Sequence, residues 1–399
     1  MIVVSLRNLH QLLAIVVGCT ALLGCATGKP PEAENPLQIV PHRSWPELVD
    51  DSDREQLIAA MEHSLSYFDA LPEEAVISFG PEKRTAAELA AGLRRFQHLL
   101  RTVSGAQQLT RALKEEFILL RSVGRDGHGE VLFTGYYEPI VKARRDPEPP
   151  FEHPIYGIPD DLVKVDLEAF GIERLQRTLV GRVEDHALVP YSDRGEIDFG
   201  NGLESPAPVL GYLSDPVDVF FLHVQGSGTL EFRDGTRLRA GYAVSNGLAY
   251  KSIGKLLIDD GLVPRERMSM QAIRAYLTAH PEEIERVLTY NPSYVFFRPL
   301  ETRDGPLGCY GVPVTSGRSI ATDRRLFPAP VVAWIEGEIP AIDGGKKRFS
   351  RFALNQDTGG SIRGPGRVDL FIGAGDQSAE IAGRMNDLGR LYLFLPSSI

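Results

Sequence analysis

From Gly129 onward the chain is cut into short β-branched and aromatic runs, each ended within a few residues by Gly, Pro, Asn or Asp. Val131-Leu132-Phe133, Val217 to Leu222, Leu230-Glu231-Phe232 and Tyr294 to Phe297 are the clearest. Such runs are too short for the long 3.6-residue periodicity of a helical bundle. Strands at this spacing, joined by turns such as Arg233-Asp234-Gly235, predict a barrel or a sandwich. The 39 Gly and 28 Pro supply the turns. Helical signals return only at Ser252 to Asp259 and Met270 to His280. No internal repeat interrupts the pattern.

Upstream the pattern differs. Ser52 and Glu55 have capping-box spacing ahead of Leu57, Met61, Leu65 and Phe68, which predicts a helix over 52–70. Thr85 and Glu88 repeat the signature before the stripe Leu89, Leu93, Phe96 and Leu100, and a third helix is expected around Ala106 to Leu120. The whole is therefore expected as mainly β with N-terminal helices, and 399 residues are enough for two or more domains.

The first 25 residues have the form of an export signal, with Arg7 and His10 ahead of the apolar stretch Leu12 to Val17. That stretch is too short to span a bilayer. It ends in Leu22-Leu23-Gly24-Cys25, which resembles a lipobox with Cys25 as the lipidated residue; Cys19 is a weaker acceptor, and a plain secretory cleavage nearby is the alternative. Ala26 rather than Asp follows Cys25, which by resemblance to sorted lipoproteins points to the outer membrane, on its periplasmic face. Residues 26–48, with their Pro-rich start and little apolar content, are expected to be a tether outside the fold. Only Cys309 then remains of three cysteines, so no disulfide framework is possible. A net charge of -10 argues against a nucleic-acid partner. The nine His show no metal-ligand spacing, and no metal or cofactor is expected.

Three aspartates stand in three strand-like contexts: Ser319-Ile320-Ala321-Thr322-Asp323, Gln356-Asp357-Thr358-Gly359-Gly360 and Arg367-Val368-Asp369-Leu370-Phe371. Each is expected at the end of its run, where separate strands could bring the carboxyls to one end of a barrel and push their pKa values apart. Asp369 has the most apolar immediate neighbours, so its neutral, proton-donating form is the one favoured, as a general acid requires. Asp357 could equally be a turn residue bonding its own backbone. Asp323, ahead of Arg324-Arg325, could be a surface ion pair.

Gly317 to Asp323, Asp357 to Gly364 and Val368 to Gly375 together resemble the three-aspartate domain of the membrane-bound lytic murein transglycosylase A family. Thr134 to Pro139, Pro154-Ile155-Tyr156-Gly157, His223 to Gly228 and Asn291 to Phe297 are similar to that family's other signature segments, so the likeness spans roughly 50–397. It implies a double-psi β-barrel built from 49–140 and 296–399, with a second β-rich domain, 141–295, inserted and a substrate groove between them. It implies cleavage of peptidoglycan between N-acetylmuramic acid and N-acetylglucosamine with 1,6-anhydromuramic ends, in cell-wall turnover. Asp369 would be catalytic, with Asp357 and Asp323 supporting. Cys309 and Arg363 depart from the family pattern, standing where a small or apolar residue and often a Lys are expected.

Thr134, Tyr136, Tyr137, Gln225, Gly226 and Ser227 are the groove candidates: tyrosines offer flat apolar faces with polar tips, and Gly226 and Gly228 would admit close backbone approach to sugar. Tyr136 and Tyr137 should face opposite sides of a strand, leaving one of them in the core. With an acidic chain, affinity for peptidoglycan strands would have to come from hydrogen bonds and stacking in the groove. An aspartic protease is disfavoured because Asp357-Thr358-Gly359 has no second copy, and a serine hydrolase on His223 and Ser227 because Gly-x-Ser-x-Gly is not satisfied. A noncatalytic wall-binding lipoprotein is the remaining rival.

Overall fold

The computed structural model describes residues 35–397 apart from 173–177, 201, 204, 302–304 and 342–343. The expected signal, Cys19, Cys25 and the first part of the tether lie outside the described residues. In chain order the barrel side begins with β1 (Leu37–Ile39), α1 (Arg54–Asp69), the hairpin β2 (Val76–Phe79) and β3 (Glu82–Thr85), α2 (Ala86–Thr102), α3 (Ala106–Glu116), β4 (Phe117–Ser122) and β5 (Val131–Glu138). An insert follows: β6 (Ile140–Ala143), β7 (His153–Tyr156), β8 (Val163–Asp166), β9 (Thr178–Glu184), β10 (Ala187–Pro190), α4 (Arg194–Asp198), β11 (Val209–Leu213) and α5 (Pro216–Gln225). It continues through β12 (Ser227–Phe232), β13 (Arg237–Ser245), α6 (Ile253–Asp259), α7 (Met270–Ala279), α8 (Ile284–Thr289) and β14 (Val295–Leu300). The chain then returns with β15 (Ser319–Ala321), β16 (Val332–Pro340), β17 (Lys346–Asp357), β18 (Arg367–Ala374), α9 (Gly375–Arg384) and β19 (Asn386–Pro396).

β19, β16, β17, β15, β18 and β5 pair in that order, and β5 pairs back to β19, which closes a six-stranded barrel; β4 and β1 extend the sheet outside it. Closure leaves the ring without an exposed edge. It depends on β19 serving two neighbours, with Asn386 to Gly389 on β5 and Arg390 to Leu393 on β16. At the crossing a Cβ on Gly389 would stand 2.0 Å from the Glu336 carbonyl oxygen, so only glycine lets the strands approach. The helices lie against the ring: Phe96 of α2 meets Phe117, Phe352 and Phe394 edge-to-face at 5.2–5.4 Å, each contact worth about 1 kcal/mol beyond its buried area.

Several expectations hold. Thr85 and Glu88 form a reciprocal capping box, and the helical signals at Ser252 to Asp259 and Met270 to His280 are helices α6 and α7. Others need correction. Residues 35–48 belong to the fold: Leu37, Trp45 and Leu48 are buried in the barrel's core although no periodicity announces them. The cap of α1 is Asp53, whose carboxylate accepts the Gln56 N–H, rather than Ser52. The third helix stops at Glu116, because Phe117 to Ser122 are drawn into the sheet beside β19. Val217 to Leu222, expected as a strand, is helical in α5. Asp215 accepts the Val217 N–H and Pro216 occupies the first turn, while burial on nearly all sides hides the helical period.

Where the chain leaves and re-enters the barrel, buried Glu138 accepts from Arg239 Nε at 2.9 Å, and Arg239 Nη1 donates to the Gly305 carbonyl. The insert has its own apolar clusters, one around Ile155, Leu222 and Phe297 and another around Phe220, Leu257 and Leu288.

Candidate active site

In a strand neighbouring side chains point to opposite faces. Val368 and Leu370 are fully buried in the barrel core, which turns Asp369 between them to the other face. Cross-strand register extends that position into a row: Asp357 pairs with Ala321, Ala321 with Asp369, and Asp369 with Thr134. Two strand spacings put the Asp357 and Asp369 backbones about 10 Å apart. Asp369 is the third residue of β18 rather than its end, Asp357 does end β17, and Asp323 lies two residues beyond β15.

The Asp369 side chain is 19% exposed, with Arg367 Nη2 3.8 Å from Oδ1. Oδ1 itself is buried and makes no hydrogen bond. Burial pushes the carboxyl up to about 6, against the opposing pull of Arg367. Asp357 is also pushed to about 6 by burial, although its Oδ1 accepts from the Thr358 N–H at 2.8 Å and the Cys309 N–H at 3.1 Å. Both carboxyls are thus poised to be protonated or ionised near neutral pH. Asp357 is tied to backbone donors, whereas Asp369 Oδ1 has no hydrogen-bond partner.

Asp323 behaves differently. It is 1% exposed, accepts from Arg325 Nε at 2.9 Å and from the Gly364 N–H at 2.8 Å. Burial alone would raise it, but Arg325 and the backbone donors outweigh that and hold it below the usual carboxylate range. It is neither a surface pair nor a proton donor; it pins the loop at Gly364 beside β18.

The neighbouring strand supplies two more polar groups. Thr134 Oγ1 and the Tyr136 hydroxyl are buried without a hydrogen bond in good geometry. The Tyr136 ring lies 5.1 Å from Phe371, and its hydroxyl faces Asp357; burial, then the nearby Asp357 charge, raise its pKa far above normal. Tyr137 turns toward Arg274 and Asp218 of the insert. The two rings do take opposite sides, but neither joins a core cluster.

The Gln225 to Gly228 run is held by the fold on both sides. Gln225 Oε1 accepts the Tyr137 N–H at 3.0 Å, tying α5 to β5. Gly226 ends α5 with φ +73, and Ser227 opens β12 opposite Gly241. A Cβ on Gly228 would stand 2.3 Å from Leu222 Cδ1, so packing against the core selects glycine there. His223 is buried against Tyr294 and Phe297, with no role beside Ser227. Sequence reasoning missed Tyr250, on the insert loop before α6: burial raises the pKa of its hydroxyl, Ser252, Arg194 and Arg367 oppose the rise and Asp369 adds to it, which brings that loop toward the row. A lone Tyr between turn residues carried no signal. Arg363, exposed, donates to the Gly359 and Ile362 carbonyls.

Fold and site together define a double-psi β-barrel protein with a buried carboxyl row and a large β-rich insert. The pattern of the MltA specific insert domain matches residues 132–298, and that of the 3D domain matches 318–395. Membrane-bound lytic murein transglycosylase A of Escherichia coli strain K12 is 35% identical over 276 residues, 68% of this chain and 67% of that protein. The crystal structure of a membrane-bound lytic murein transglycosylase from Agrobacterium tumefaciens superposes with TM-score 0.74 at 30% identity, covering 90% of this chain and 97% of that one. The structure of E. coli MltA with bound chitohexaose superposes with TM-score 0.69 at 26% identity, covering 93% and 98%. This chain belongs to the membrane-bound lytic murein transglycosylase A family.

Proposed function

We propose that Asp369 is the single acid/base of a peptidoglycan lytic transglycosylase. The chain is an enzyme of that class, cleaving between N-acetylmuramic acid and N-acetylglucosamine and leaving 1,6-anhydromuramic ends. The observation that carries the assignment is the desolvated Asp369 Oδ1, without a hydrogen-bond partner, on a carboxyl pushed to about 6. Protonated, Asp369 donates to the glycosidic oxygen; the carboxylate so formed takes the proton of the muramic C6 hydroxyl as that oxygen attacks the anomeric carbon. The nucleophile belongs to the substrate, so its effective concentration is high and no second carboxylate is needed. A hydrolase would need one, to activate water or to attack. Asp357, with its Oδ1 engaged by two N–H groups, instead orients Tyr136. Thr134 and Tyr136 line the substrate side of the row, and Asp323 supports it from behind.

On this reading β1 to β5 with β15 to β19, rather than the expected 49–140 with 296–399, form the catalytic barrel, and the insert from β6 to β14 forms the other wall of the groove. Chitohexaose on the E. coli relative supports a saccharide occupant. Lipidation at Cys25 would hold the enzyme on the periplasmic face of the outer membrane; among the described residues no helix is long and apolar enough to cross a membrane. Digestion of purified sacculi followed by mass analysis of the muropeptides tests the chemistry. Anhydro ends are expected. Hydrated reducing ends would overturn it and make Asp357, two strands away, the base of a hydrolase.

A further inference from the structure

The insert holds a second polar site, joined to the carboxyl row through Tyr250, on which both Arg194 and Asp369 act. A cavity of about 240 Å³ opens where β7, α4 and the first turn of α5 meet, lined among others by His153, Tyr156, Ile197, Asp198, Pro216 and Val219. Its charge is internally matched: Asp198 accepts from Arg194 Nη1 at 3.0 Å, and Arg194, 1% exposed, also donates to the Ser293 carbonyl at 2.8 Å. Burial raises Asp198, while Arg194 opposes the rise. Beside Asp198 and Tyr156 lies the hydroxyl of Tyr294, a fully buried residue. That hydroxyl faces the Asp198 carboxyl without a hydrogen bond in good geometry, and behind it His223 meets the Tyr294 ring edge-on at 4.3 Å with neither ring nitrogen partnered. Buried polar groups in native proteins are nearly always satisfied, so a Tyr294 hydroxyl with no well-formed hydrogen bond, next to the lining residues Asp198 and Tyr156, leaves polar capacity at the cavity wall.

The lining selects among occupants. An ion finds no surplus charge, since Arg194 already balances Asp198. A purely apolar ligand would leave Asp198 and His153 facing it. Tyr156 and Pro216 offer apolar surface next to those polar groups, which is the pattern of a neutral sugar ring with an acetamido group. α5 begins at the cavity with Pro216 and ends about 15 Å on at Gln225, which holds the Tyr137 N–H three residues along β5 from Thr134 of the row.

We propose that this cavity is an accessory site for an N-acetylated sugar unit of a glycan strand, away from the bond being cut. The ligand class rests on the transglycosylase reading above. The test uses full-length Asp369→Asn protein, to suppress turnover, labelled with carbon-13 on histidine and titrated with chitotetraose. The His153 ring resonances are expected to move, and Tyr156→Leu to abolish the movement. In the same background His153→Ala and Tyr156→Leu should each bind sacculi about five-fold more weakly. In otherwise unmodified enzyme they should leave cleavage of short soluble glycan fragments unchanged. Unmoved His153 resonances at saturating chitotetraose, or sacculus binding unaltered in both variants, would overturn the proposal. The titration reads the unaltered cavity, so it decides even if a variant fails to fold. Failure of the transglycosylase reading is separate: it shows as missing anhydro ends from the wild-type enzyme.

Discussion

Replacing Asp369 with Asn tests the site from two directions, because the same burial that suits the carboxyl to catalysis should cost stability. Asn keeps the shape but cannot donate or accept the transferred proton. A positioned acid or base contributes about 10²–10⁴-fold, and here one residue fills both roles, so turnover should fall at least about 10³-fold, equivalent to about 4 kcal/mol in the barrier. For stability the sign runs the other way. The folded-state pKa of about 6 lies above the ordinary 3.8. The stabilising contribution of the protonated carboxyl is therefore present below about pH 4 and lost as pH rises through about 6. A two-unit rise corresponds to about 3 kcal/mol at neutral pH as an upper figure, reduced in the variant because Arg367 loses its neighbour. Urea denaturation at pH 4 and pH 7.5 should show the variant about 1–3 kcal/mol more stable at the higher pH and near parity at the lower. Turnover within ten-fold of wild type would refute the catalytic role. A stability difference that ignores pH would refute the burial argument.

In the wild-type enzyme kcat/KM should fall about ten-fold per pH unit above 6 as Asp369 ionises; a flat profile to pH 8, measured on soluble glycan fragments, would contradict this. Asp323→Asn should lose about 1–3 kcal/mol at pH 7 through the Arg325 and Gly364 contacts. Because its folded pKa is lowered, that loss should shrink as pH falls through the native value, which chemical denaturation at a series of pH values can follow. Gln356→Leu would strip partners from Ser319 Oγ, the Ala60 carbonyl and Ser64 Oγ inside the core, and a loss of about 3 kcal/mol with reduced solubility is expected. Asp215→Ala removes the cap of α5 and should cost about 1 kcal/mol in thermal unfolding with near-normal turnover.

Local features were legible where their physics is local. The box of Thr85 and Glu88 acts over three residues and is present, and the short helical signals behind α6 and α7 are likewise borne out. The cap and proline ahead of α5 were equally local, yet the apolar density of Val217 to Leu222 masked them. Asp369 was chosen for its apolar neighbours, but Val368 and Leu370 point away from its carboxyl; the groups that desolvate it come from other parts of the fold. For Gln225, the groove reading missed that its acceptor is used by Tyr137.

The chain by itself determined the β-rich class with helices in front and the starts of α2, α3, α6 and α7, because periodicity, capping and turn chemistry act within a few residues, and the resemblance of its motifs gave the family and the aspartates worth examining. Only the tertiary structure decided which of the three carboxyls keeps a buried oxygen without a hydrogen-bond partner and which are tied. Closing the ring aligns Asp357, Ala321, Asp369 and Thr134 in one row. Contacts such as Arg318 with Asp50, 268 residues apart, hold the barrel's parts together. Burial, and with it the rise of the Asp369 carboxyl to about 6, depends on strands distant in sequence meeting in a particular register. No local pattern specifies that meeting.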